Sequence, residues 1–241
     1  MSGAWKAFWD NYRPREPEND GDLFFQVGKT VNREPIPHYV FRRLLDRLVA
    51  QLDLSLADHL LDLCCGNGLV SYDLAAHVGR LTGIDFAENL IRAAQKLKSR
   101  DNVAYYVGDV TAPLSSLFGE GVCPNKILMN DALAYFEPAD LDCILGNLLH
   151  HARGRSFNFL LTDIPNADLK WNFYNTPERA SRHRENMKRP GNINDGLGRW
   201  WQPQEVESVC RKREVMVQIT NQSHELSAYR MDALIVSKGG S

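Results

Sequence analysis

The sequence predicts an α/β protein with seven strands in a mostly parallel sheet and helices on both faces. From residue 59 onward, short apolar runs alternate with amphipathic stretches, the pattern of strands joined by crossover helices. Three successive apolar runs end in an acid, at Asp62, Asp85 and Asp109. Two segments of alternating hydrophobicity close the chain and predict an antiparallel hairpin over 215–220 and 229–236.

Residues 1–55 are predicted to form a helical lid or substrate segment ahead of the sheet. Aromatic residues at helical spacing predict a short helix over 4–12, which either docks on the core or closes over the ligand edge. Tyr12 at its end is a predicted substrate contact. A proline-rich polar stretch predicts a loop over 13–22, and apolar residues at helical spacing predict a core helix over 38–52.

The sheet and its helices are predicted over 56–241. The first five strands are expected at 59–64, 80–86, 103–110, 126–130 and 157–164. Helices are expected at 87–100, where apolar residues recur at helical spacing, from Pro138 to about His151, and after Gln202.

Residues 165–203 form too long a stretch for a plain connection, which usually takes a few residues. We predict that this stretch is a cap, inserted after the fifth strand, that supplies substrate contacts. Its predicted substrate residues are Trp171, Tyr174, Arg179, Arg182 and Trp200. Arg179 and Arg182 would share a helix face and could bind an anionic group such as a phosphate. The alternative is a solvated face of mixed charge, because acids stand nearby.

The stretch from Asp62 to Gly68 predicts a strand, a tight turn and the start of a helix. Such a turn directs backbone N–H groups toward a ligand, and Gly66 and Gly68 let that ligand approach closely. Asp85 ends the next strand 17 residues after Gly68, where an acid can accept both hydroxyls of a ribose. The alternative is an ordinary loop that happens to contain two glycines.

Composition narrows the function classes. A net charge of −2 argues against general nucleic-acid binding, which usually shows a basic surface. No apolar run reaches the ~18 residues of a membrane span, and the first residues lack a signal-peptide core. The five cysteines form no C-x-x-C pair, so we expect reduced thiols, no metal site and a cytoplasmic location.

Four segments together resemble the class I S-adenosylmethionine-dependent methyltransferases: Asp62–Gly68, Gly83–Phe86, Gly108–Val110 and Asn130–Leu133. The resemblance covers roughly residues 56–165, and the family's terminal strand pair falls at 213–237. It implies a Rossmann-like sheet of seven strands and S-adenosyl-L-methionine as the cofactor. The cofactor-binding residues it implies are Asp62, Cys64, Gly66, Gly68, Asp85, Phe86, Asp109, Val110 and Asn130.

The resemblance implies that the acids at the three strand ends contact different parts of the cofactor. Asp62 and Asn130 face the methionine end, Asp85 takes the ribose, and Asp109 contacts the adenine amine beside Phe86. Cys64 stands where the family usually has the first glycine of the turn.

Two rival functions remain open. A nicotinamide-dependent oxidoreductase would want G-x-G-x-x-G, but Ser71 stands at the third glycine position. Asp62 would also repel a pyrophosphate, whereas the ammonium and sulfonium of S-adenosylmethionine suit an acid there. The other rival is a non-catalytic adenosylmethionine-binding subunit.

The expected reaction is methyl transfer to an oxygen or nitrogen of a small molecule. Segments 24–37 and 171–179 look similar to bacterial methyltransferases of sugar and natural-product pathways, so we expect a sugar acceptor, nucleotide-linked or phosphorylated. An oxygen acceptor needs a base, and Asp131, Tyr135 and His183 are the leading candidates, with His38, His150 and His151 also open. A homodimer is a further open expectation.

Overall fold

The structure, a computed structural model, describes residues 3–11, 17–31, 33–118, 123–188 and 197–239. Tyr12, one of the predicted substrate contacts, lies outside the described residues, as does the part of the predicted cap at 189–196.

Strands in the described chain form one small ribbon and one large sheet. In chain order they are β1 (Thr30–Val31), β2 (Glu34–Pro35), β3 (His59–Leu63), β4 (Arg80–Asp85), β5 (Val103–Val107), β6 (Lys126–Asn130), β7 (Phe157–Pro165), β8 (Met216–Asn221) and β9 (Arg230–Ser237). β1 and β2 pair as the ribbon.

The large sheet has the order β5-β4-β3-β6-β7-β9-β8. Strands β3 to β7 pair in parallel, and β9 pairs antiparallel with both β7 and β8. This confirms the predicted seven-stranded α/β sheet with its C-terminal antiparallel hairpin. The strand order reverses between β3 and β6, and ligands of open α/β sheets bind at the carboxyl edge beside such a point.

Helices flank the sheet on both faces. In chain order they are α1 (Gly3–Asn11), α2 (Asp20–Gln26), α3 (His38–Leu52), α4 (Leu69–Leu74), α5 (Glu88–Leu97), α6 (Ser115–Phe118), α7 (Pro138–Ala152), α8 (Lys170–Phe173), α9 (Pro177–Met187) and α10 (Pro203–Lys212). Local sequence explains several boundaries. Pro138 occupies the first turn of α7 behind a capping box at Glu137, and α3 ends at Asp53 in the left-handed conformation. None of the described helices is long and apolar enough to cross a membrane.

Two hydrophobic clusters cover the two faces of the sheet. Along β3, Leu61 and Leu63 enter the cluster that also contains residues of α7 and α10, while Leu60 enters the other. That second cluster includes Leu23 of α2 and Phe41 of α3, so part of the N-terminal segment shares a core with the sheet. The division into a lid at 1–55 and a core at 56–241 stays a prediction.

The predicted cap contains α8 and α9 and an aromatic cluster between them. Tyr174 is buried and stacks on His183 with ring centroids 4.1 Å apart. Phe173 and Trp200 pack against it, at 5.0 and 5.8 Å between centroids. This cluster gives the cap a small apolar core of its own, which explains why the stretch is so rich in aromatic residues.

Candidate active site

The turn after β3 has the backbone that its glycines predict. Gly66 and Gly68 have φ values of 55° and 73°, in the left-handed region where a side chain is strained. A Cβ on Gly68 would also lie 2.6 Å from the Tyr105 hydroxyl oxygen. Glycine is therefore favoured at position 68, and α4 begins directly after it.

Cys64 has φ 62° and adopts this left-handed conformation without being glycine. Such a residue costs about 1–2 kcal/mol in backbone strain. Burial, reinforced by the charges of Asp85 and Asp62, raises the pKa of the Cys64 thiol well above its usual value. The sulfur is therefore a neutral thiol in the wall of the site rather than a nucleophilic thiolate.

Asp85 connects the end of β4 to the glycine turn. Its carboxylate accepts hydrogen bonds from the backbone N–H of Gly66 at 3.0 Å and of Ala87 at 2.8 Å. Burial raises the pKa of Asp85 to about 6, although these two hydrogen bonds oppose the rise. A carboxylate has about four acceptor sites, so two remain for a ligand's hydroxyl groups.

Asp62 is the second buried acid of the site. It accepts a hydrogen bond from the Ser71 hydroxyl at 2.5 Å. Burial raises the pKa of Asp62 to about 7, and the negative charge of Asp85 adds to the rise. A cation bound beside Asp62 would reverse this shift, because an opposite charge favours the carboxylate form.

A cleft of about 800 Å³, including space open to solvent, lies at the carboxyl edge of the sheet. Six of the predicted cofactor residues line it: Asp62, Cys64, Gly66, Asp85, Phe86 and Asn130. The predicted catalytic residues Asp131 and Tyr135 line it as well. The arrangement combines two carboxylates, a glycine turn and an aromatic ring in one cleft.

Three predicted cofactor residues are not among the residues that line the cleft. Gly68 turns against Tyr105, and Val110 is buried in the hydrophobic cluster around Leu61. Asp109 is exposed and accepts hydrogen bonds from the backbone and hydroxyl of Thr111. Gly68 therefore shapes the turn, while the predicted adenine contact of Asp109 stays a prediction.

Asp131 is held by two cations. Lys29 donates to its Oδ2 at 2.8 Å, and Arg230 donates to its Oδ1 at 2.7 Å. Burial disfavours the charged carboxylate, but the charges of Arg230 and Lys29 outweigh it and lower the pKa of Asp131 to about 2. A general base works best with a pKa near the operating pH. Asp131 therefore fits an ion-pairing role better than the predicted role of base.

Asp131 also belongs to a longer row of alternating charges. Successive ion pairs along this row measure 2.8, 2.7, 3.6, 3.6 and 2.8 Å. In order, its members are Lys29, Asp131, Arg230, Asp163, Arg47 and Asp232. The row joins the cleft to α3 and β9, and its formal charges cancel.

Tyr135 forms an aromatic wall with the N-terminal helix α1. Its ring centroid lies 4.7 Å from that of Trp5 and 5.6 Å from that of Trp9, and Trp9 itself lines the cleft. Burial, reinforced by the charge of Asp131, raises the pKa of the Tyr135 phenol. Tyr135 therefore stays protonated at neutral pH and can donate a hydrogen bond.

His183 and the five predicted substrate residues of the cap are not among the described residues that line the cleft. His183 is buried against Tyr174, and Trp171 and Trp200 belong to the same aromatic cluster. Arg182 is exposed, and Arg179 donates to the carbonyl of Phe173 at 3.2 Å. His183 is placed to pack the cap rather than to remove a proton at the cleft.

Sequence reasoning missed several residues that the structure brings to the cleft. Val27 and Lys29 come from the segment after α2, and Asn67 donates to the carbonyl of Leu23 and to Gln26, which fixes that segment on the glycine turn. The odd mixture of aromatic and polar residues over 23–33 was the available signal.

Comparisons with known proteins find similarity to methyltransferases. Residues 60–155 match a family model described as a methyltransferase domain. A 23S rRNA (uracil(1939)-C(5))-methyltransferase RlmD from Aliivibrio salmonicida is 30% identical over 114 residues, which are 46% of this chain and 24% of the relative. An uncharacterized methyltransferase, C70.08c from Schizosaccharomyces pombe, is 38% identical over 55 residues, 23% of this chain and 21% of the relative. The chain thus spans about a quarter or less of the length of these curated relatives.

Solved structures show the same fold over most of the chain. Magnesium protoporphyrin IX methyltransferase (ChlM) from Synechocystis PCC 6803, with bound SAH, aligns with a TM-score of 0.57 at 15% identity and covers 97% of this chain and 92% of its own. The YcgJ protein from Bacillus subtilis aligns with a TM-score of 0.59 at 12% identity over 83% of this chain and 100% of its own. Residues 60–155 therefore form a methyltransferase domain, in a chain that has the fold of the class I S-adenosylmethionine-dependent methyltransferases.

Proposed function

We propose that the protein is an S-adenosylmethionine-dependent methyltransferase that acts on an oxygen or nitrogen of a small molecule. The observation that carries the proposal is the hydrogen bond from the Gly66 backbone to Asp85, which joins the glycine turn to an acid at the end of the next strand. This contact holds a ribose-binding carboxylate against the turn that would face the rest of the cofactor.

The cleft suits the separate chemical groups of that cofactor. Asp85 would accept the ribose hydroxyls, and Phe86 would lie beside the adenine. Asp62 and Asn130 would face the methionine end, where an ammonium and a sulfonium carry positive charge. A dinucleotide would instead bring a pyrophosphate near Asp62, and the like charges would repel each other. Asp62 therefore favours S-adenosylmethionine over a nicotinamide cofactor.

When bound, S-adenosylmethionine would supply a methyl group activated by its sulfonium. The role of the protein is to orient the cofactor and the acceptor and to exclude water. Trp9 and Tyr135 form an apolar wall of the cleft, and the fixed carboxylate of Asp62 stands at the positively charged end. Orientation of this kind supplies a large share of the rate enhancement of a two-reactant transfer.

The ionisable groups around the cleft limit which methyl acceptors can react there. Asp131 has a pKa of about 2, Tyr135 remains protonated, and Asp62 and Asp85 are assigned to the cofactor. No histidine is among the described residues that line the cleft. A sugar hydroxyl would need a base, whereas a neutral amine or an already ionised oxygen would attack unaided. The chemistry thus favours an acceptor that is nucleophilic at neutral pH over the unactivated sugar hydroxyl expected from sequence.

RNA is the second candidate acceptor. The similarity over 114 residues to a 23S rRNA methyltransferase favours it, whereas the net charge of −2 disfavours it. Adding radiolabelled S-adenosylmethionine to the protein with either total bacterial RNA or a fraction of metabolites below about 1 kDa would separate the two classes. Label in the small-molecule fraction is expected, and label in the RNA would replace that part of the proposal.

Calorimetric titration with S-adenosylmethionine and with NADH tests the cofactor assignment directly. We expect binding of S-adenosylmethionine but not of NADH, and we expect Asp85→Ala to weaken that binding. Binding of NADH alone would overturn the proposal. Cofactor binding with no label in either acceptor fraction would instead point to the non-catalytic binding subunit.

A further inference from the structure

Two aromatic rings form a corner at one end of the cleft. Trp9 and Tyr135 both line the cleft, and their ring centroids lie 5.6 Å apart with the ring planes at 73°. Tyr135 follows β6, whereas Asp85 and Phe86 stand at the end of β4, on the other side of β3. The aromatic corner of Trp9 and Tyr135 is therefore separate from the residues assigned to the ribose and the adenine, and it stands at the end left for the acceptor.

Helix α1 supports the aromatic corner from one side. Trp5 packs on Tyr135 with 4.7 Å between ring centroids, and Phe8 packs edge-on against Trp5 and Trp9 at 5.7 and 5.2 Å. Both rings of the corner are only partly buried. Two rings close to a right angle offer a flat ligand one surface for its face and another for its edge, the two arrangements that aromatic pairs favour. The geometry suits a planar aromatic acceptor.

The charges of the cleft disfavour an anionic acceptor. Among the described residues that line it, the charged side chains are Lys29, Asp62, Asp85 and Asp131. Lys29 pairs with Asp131 at 2.8 Å within the neutral row of charges, so Asp62 and Asp85 give the ionised cleft a formal charge of −2. The ammonium and sulfonium of a bound S-adenosylmethionine offset only part of this charge, because the cofactor also carries a carboxylate. A phenolate or carboxylate acceptor would add a further negative charge and would be repelled.

Protonation separates the nitrogen acceptors that remain. A nitrogen attacks through a free lone pair, and the groups near the acceptor end are poor bases, since Asp131 has a pKa of about 2 and Tyr135 stays protonated. An aliphatic amine such as that of lysine, with a pKa of about 10.4, arrives protonated, whereas a ring nitrogen such as that of histidine, with a pKa of about 6.5, is mostly neutral at pH ~7.5. The cleft therefore favours a ring nitrogen.

We propose that the acceptor is an uncharged aromatic N-heterocycle, which packs in the aromatic corner of Trp9 and Tyr135 and is methylated on its ring nitrogen. This inference rests on the proposed function, because it concerns the acceptor of the same reaction. The nitrogen lone pair forms a bond to the methyl carbon, the carbon–sulfur bond breaks, and its electron pair goes to sulfur. The positive charge moves from the sulfur to the heterocycle, and no proton is transferred.

The aromatic corner also favours the charge that develops in this step. A cation is attracted to the faces of tryptophan and tyrosine rings, and tryptophan attracts it most strongly. A neutral heterocycle gains this attraction only as its nitrogen becomes positive. Trp9 and Tyr135 would therefore bind the transition state more tightly than the acceptor, which is the condition for raising kcat.

Binding to protein saturated with S-adenosylhomocysteine tests the aromatic corner without catalysis. Isoquinoline and N-methylisoquinolinium differ by the methyl group and its charge, and both would be titrated by calorimetry. We expect the wild type to bind the cation more tightly, and we expect Trp9→Leu and Tyr135→Leu each to weaken binding of the cation at least about tenfold. Tyr135→Phe keeps the ring and should bind within about twofold of the wild type.

Tyr39→Leu is the matched control for Tyr135→Leu. Tyr39 is exposed on α3 and is not among the described residues that line the cleft. This variant should bind both heterocycles as the wild type does. Circular dichroism checks that each variant is folded. Trp9→Phe keeps a smaller ring, so it should lose less affinity for the cation than Trp9→Leu, and it provides a second variant if Trp9→Leu does not fold.

A second measurement follows methyl transfer itself. Radiolabelled S-adenosylmethionine would be offered with isoquinoline, nicotinamide or 1-methylimidazole, and separately with benzylamine or 2-naphthol. We expect label in one or more of the three heterocycles at pH ~7.5 and none in the aliphatic amine or the naphthol, because those two hold a proton on the reacting atom.

The outcomes separate this inference from the proposed function. If the protein binds S-adenosylhomocysteine but labels only benzylamine or 2-naphthol, the inference is wrong and the proposed function stands. The inference also fails if the wild type binds neither isoquinoline nor its methylated cation, or if the two leucine variants bind the cation as the wild type does. If the protein does not bind S-adenosylhomocysteine, the proposed function fails and the inference fails with it.

Discussion

Asp85→Ala is the substitution that most directly tests how the cleft is built. It removes the acceptor of two backbone N–H groups, those of Gly66 and Ala87. A buried N–H without a partner costs about 1–3 kcal/mol, so the two together would cost roughly 2–6 kcal/mol. The substitution also removes a buried carboxylate whose charge is unfavourable, as its raised pKa of about 6 indicates, and this gain offsets part of the cost of the two unpaired N–H groups. We therefore expect the free energy of unfolding to fall by about 2 kcal/mol.

The same substitution also removes the predicted acceptor of the ribose hydroxyls. Two ribose hydroxyls bound to a carboxylate contribute about 1.5 kcal/mol each, so their loss would weaken binding up to about a hundredfold. We expect at least a tenfold increase in the Kd for S-adenosylhomocysteine, measured by calorimetry at pH 7.5 on variant shown to be folded by circular dichroism.

Asp58→Ala is the matched control for Asp85→Ala. Asp58 is as buried as Asp85 and accepts hydrogen bonds from the Ser55 backbone at 2.7 Å and from Asn125 at 2.6 Å. It precedes β3 rather than following a strand, and it is absent from the cleft lining. Asp58→Ala should lower stability without weakening cofactor binding. An Asp85→Ala variant that is folded and binds S-adenosylhomocysteine as the wild type does would refute the assignment of Asp85.

Three further predictions concern pH, the turn and the N-terminal helix. Asp62 and Asp85 have raised pKa values of about 7 and about 6, so above pH ~4 the native state holds more protons than the unfolded chain. The stability of the unliganded protein should therefore fall as the pH rises toward 7. The affinity for the cofactor, measured by calorimetry, should rise at least threefold between about pH 5.5 and 7.5, because both acids lose their protons over that range. Gly68→Ala should lower the free energy of unfolding by about 2–4 kcal/mol in chemical denaturation, because its Cβ would meet Tyr105 and its φ is left-handed. Because Trp9 lines the cleft, S-adenosylhomocysteine should slow hydrogen exchange over residues 4–36, as expected of a lid.

A specific outcome would contradict each of these three predictions. A cofactor affinity that is flat over the pH range would show that the two acids do not face the ligand. A Gly68→Ala variant as stable as the wild type would mean that Tyr105 moves aside without cost. Equal exchange over 4–36 with and without ligand would make the N-terminal segment a permanent part of the core.

The predictable part of this molecule is the part set by local patterns. The apolar runs and alternating segments of the sequence predicted the seven strands of the large sheet in their order along the chain. Such a prediction is possible because the hydrophobic pattern of a strand or helix is set by residues close together in sequence. The edge of the sheet that holds the cleft followed from Asp62, Gly66 and Asp85, because the carboxyl ends of parallel strands meet at one edge whatever the loops do.

The part that sequence alone did not predict depends on contacts between distant residues. Asp131 looked like a candidate base because it follows a strand end, but Lys29 and Arg230 reach it from 102 and 99 residues away and lower its pKa. The sequence made His183 a candidate base, but in the structure its ring stacks on Tyr174 within the cap. The hydrophobic periodicity of the sequence does not predict such contacts, because they depend on how separate segments of the chain pack together.

The row of alternating charges sets an order in which the site can be completed. Among the residues that the structure describes, all those that line the cleft have been synthesised once the ribosome passes Tyr135. Arg230, which neutralises one oxygen of Asp131, follows that aspartate by 99 residues. At about 5–20 residues per second, roughly 5–20 s separate their synthesis. During that interval Asp131 can pair with Lys29 but not with Arg230, so the cleft acquires its final electrostatic balance only when the last strand of the protein joins the sheet.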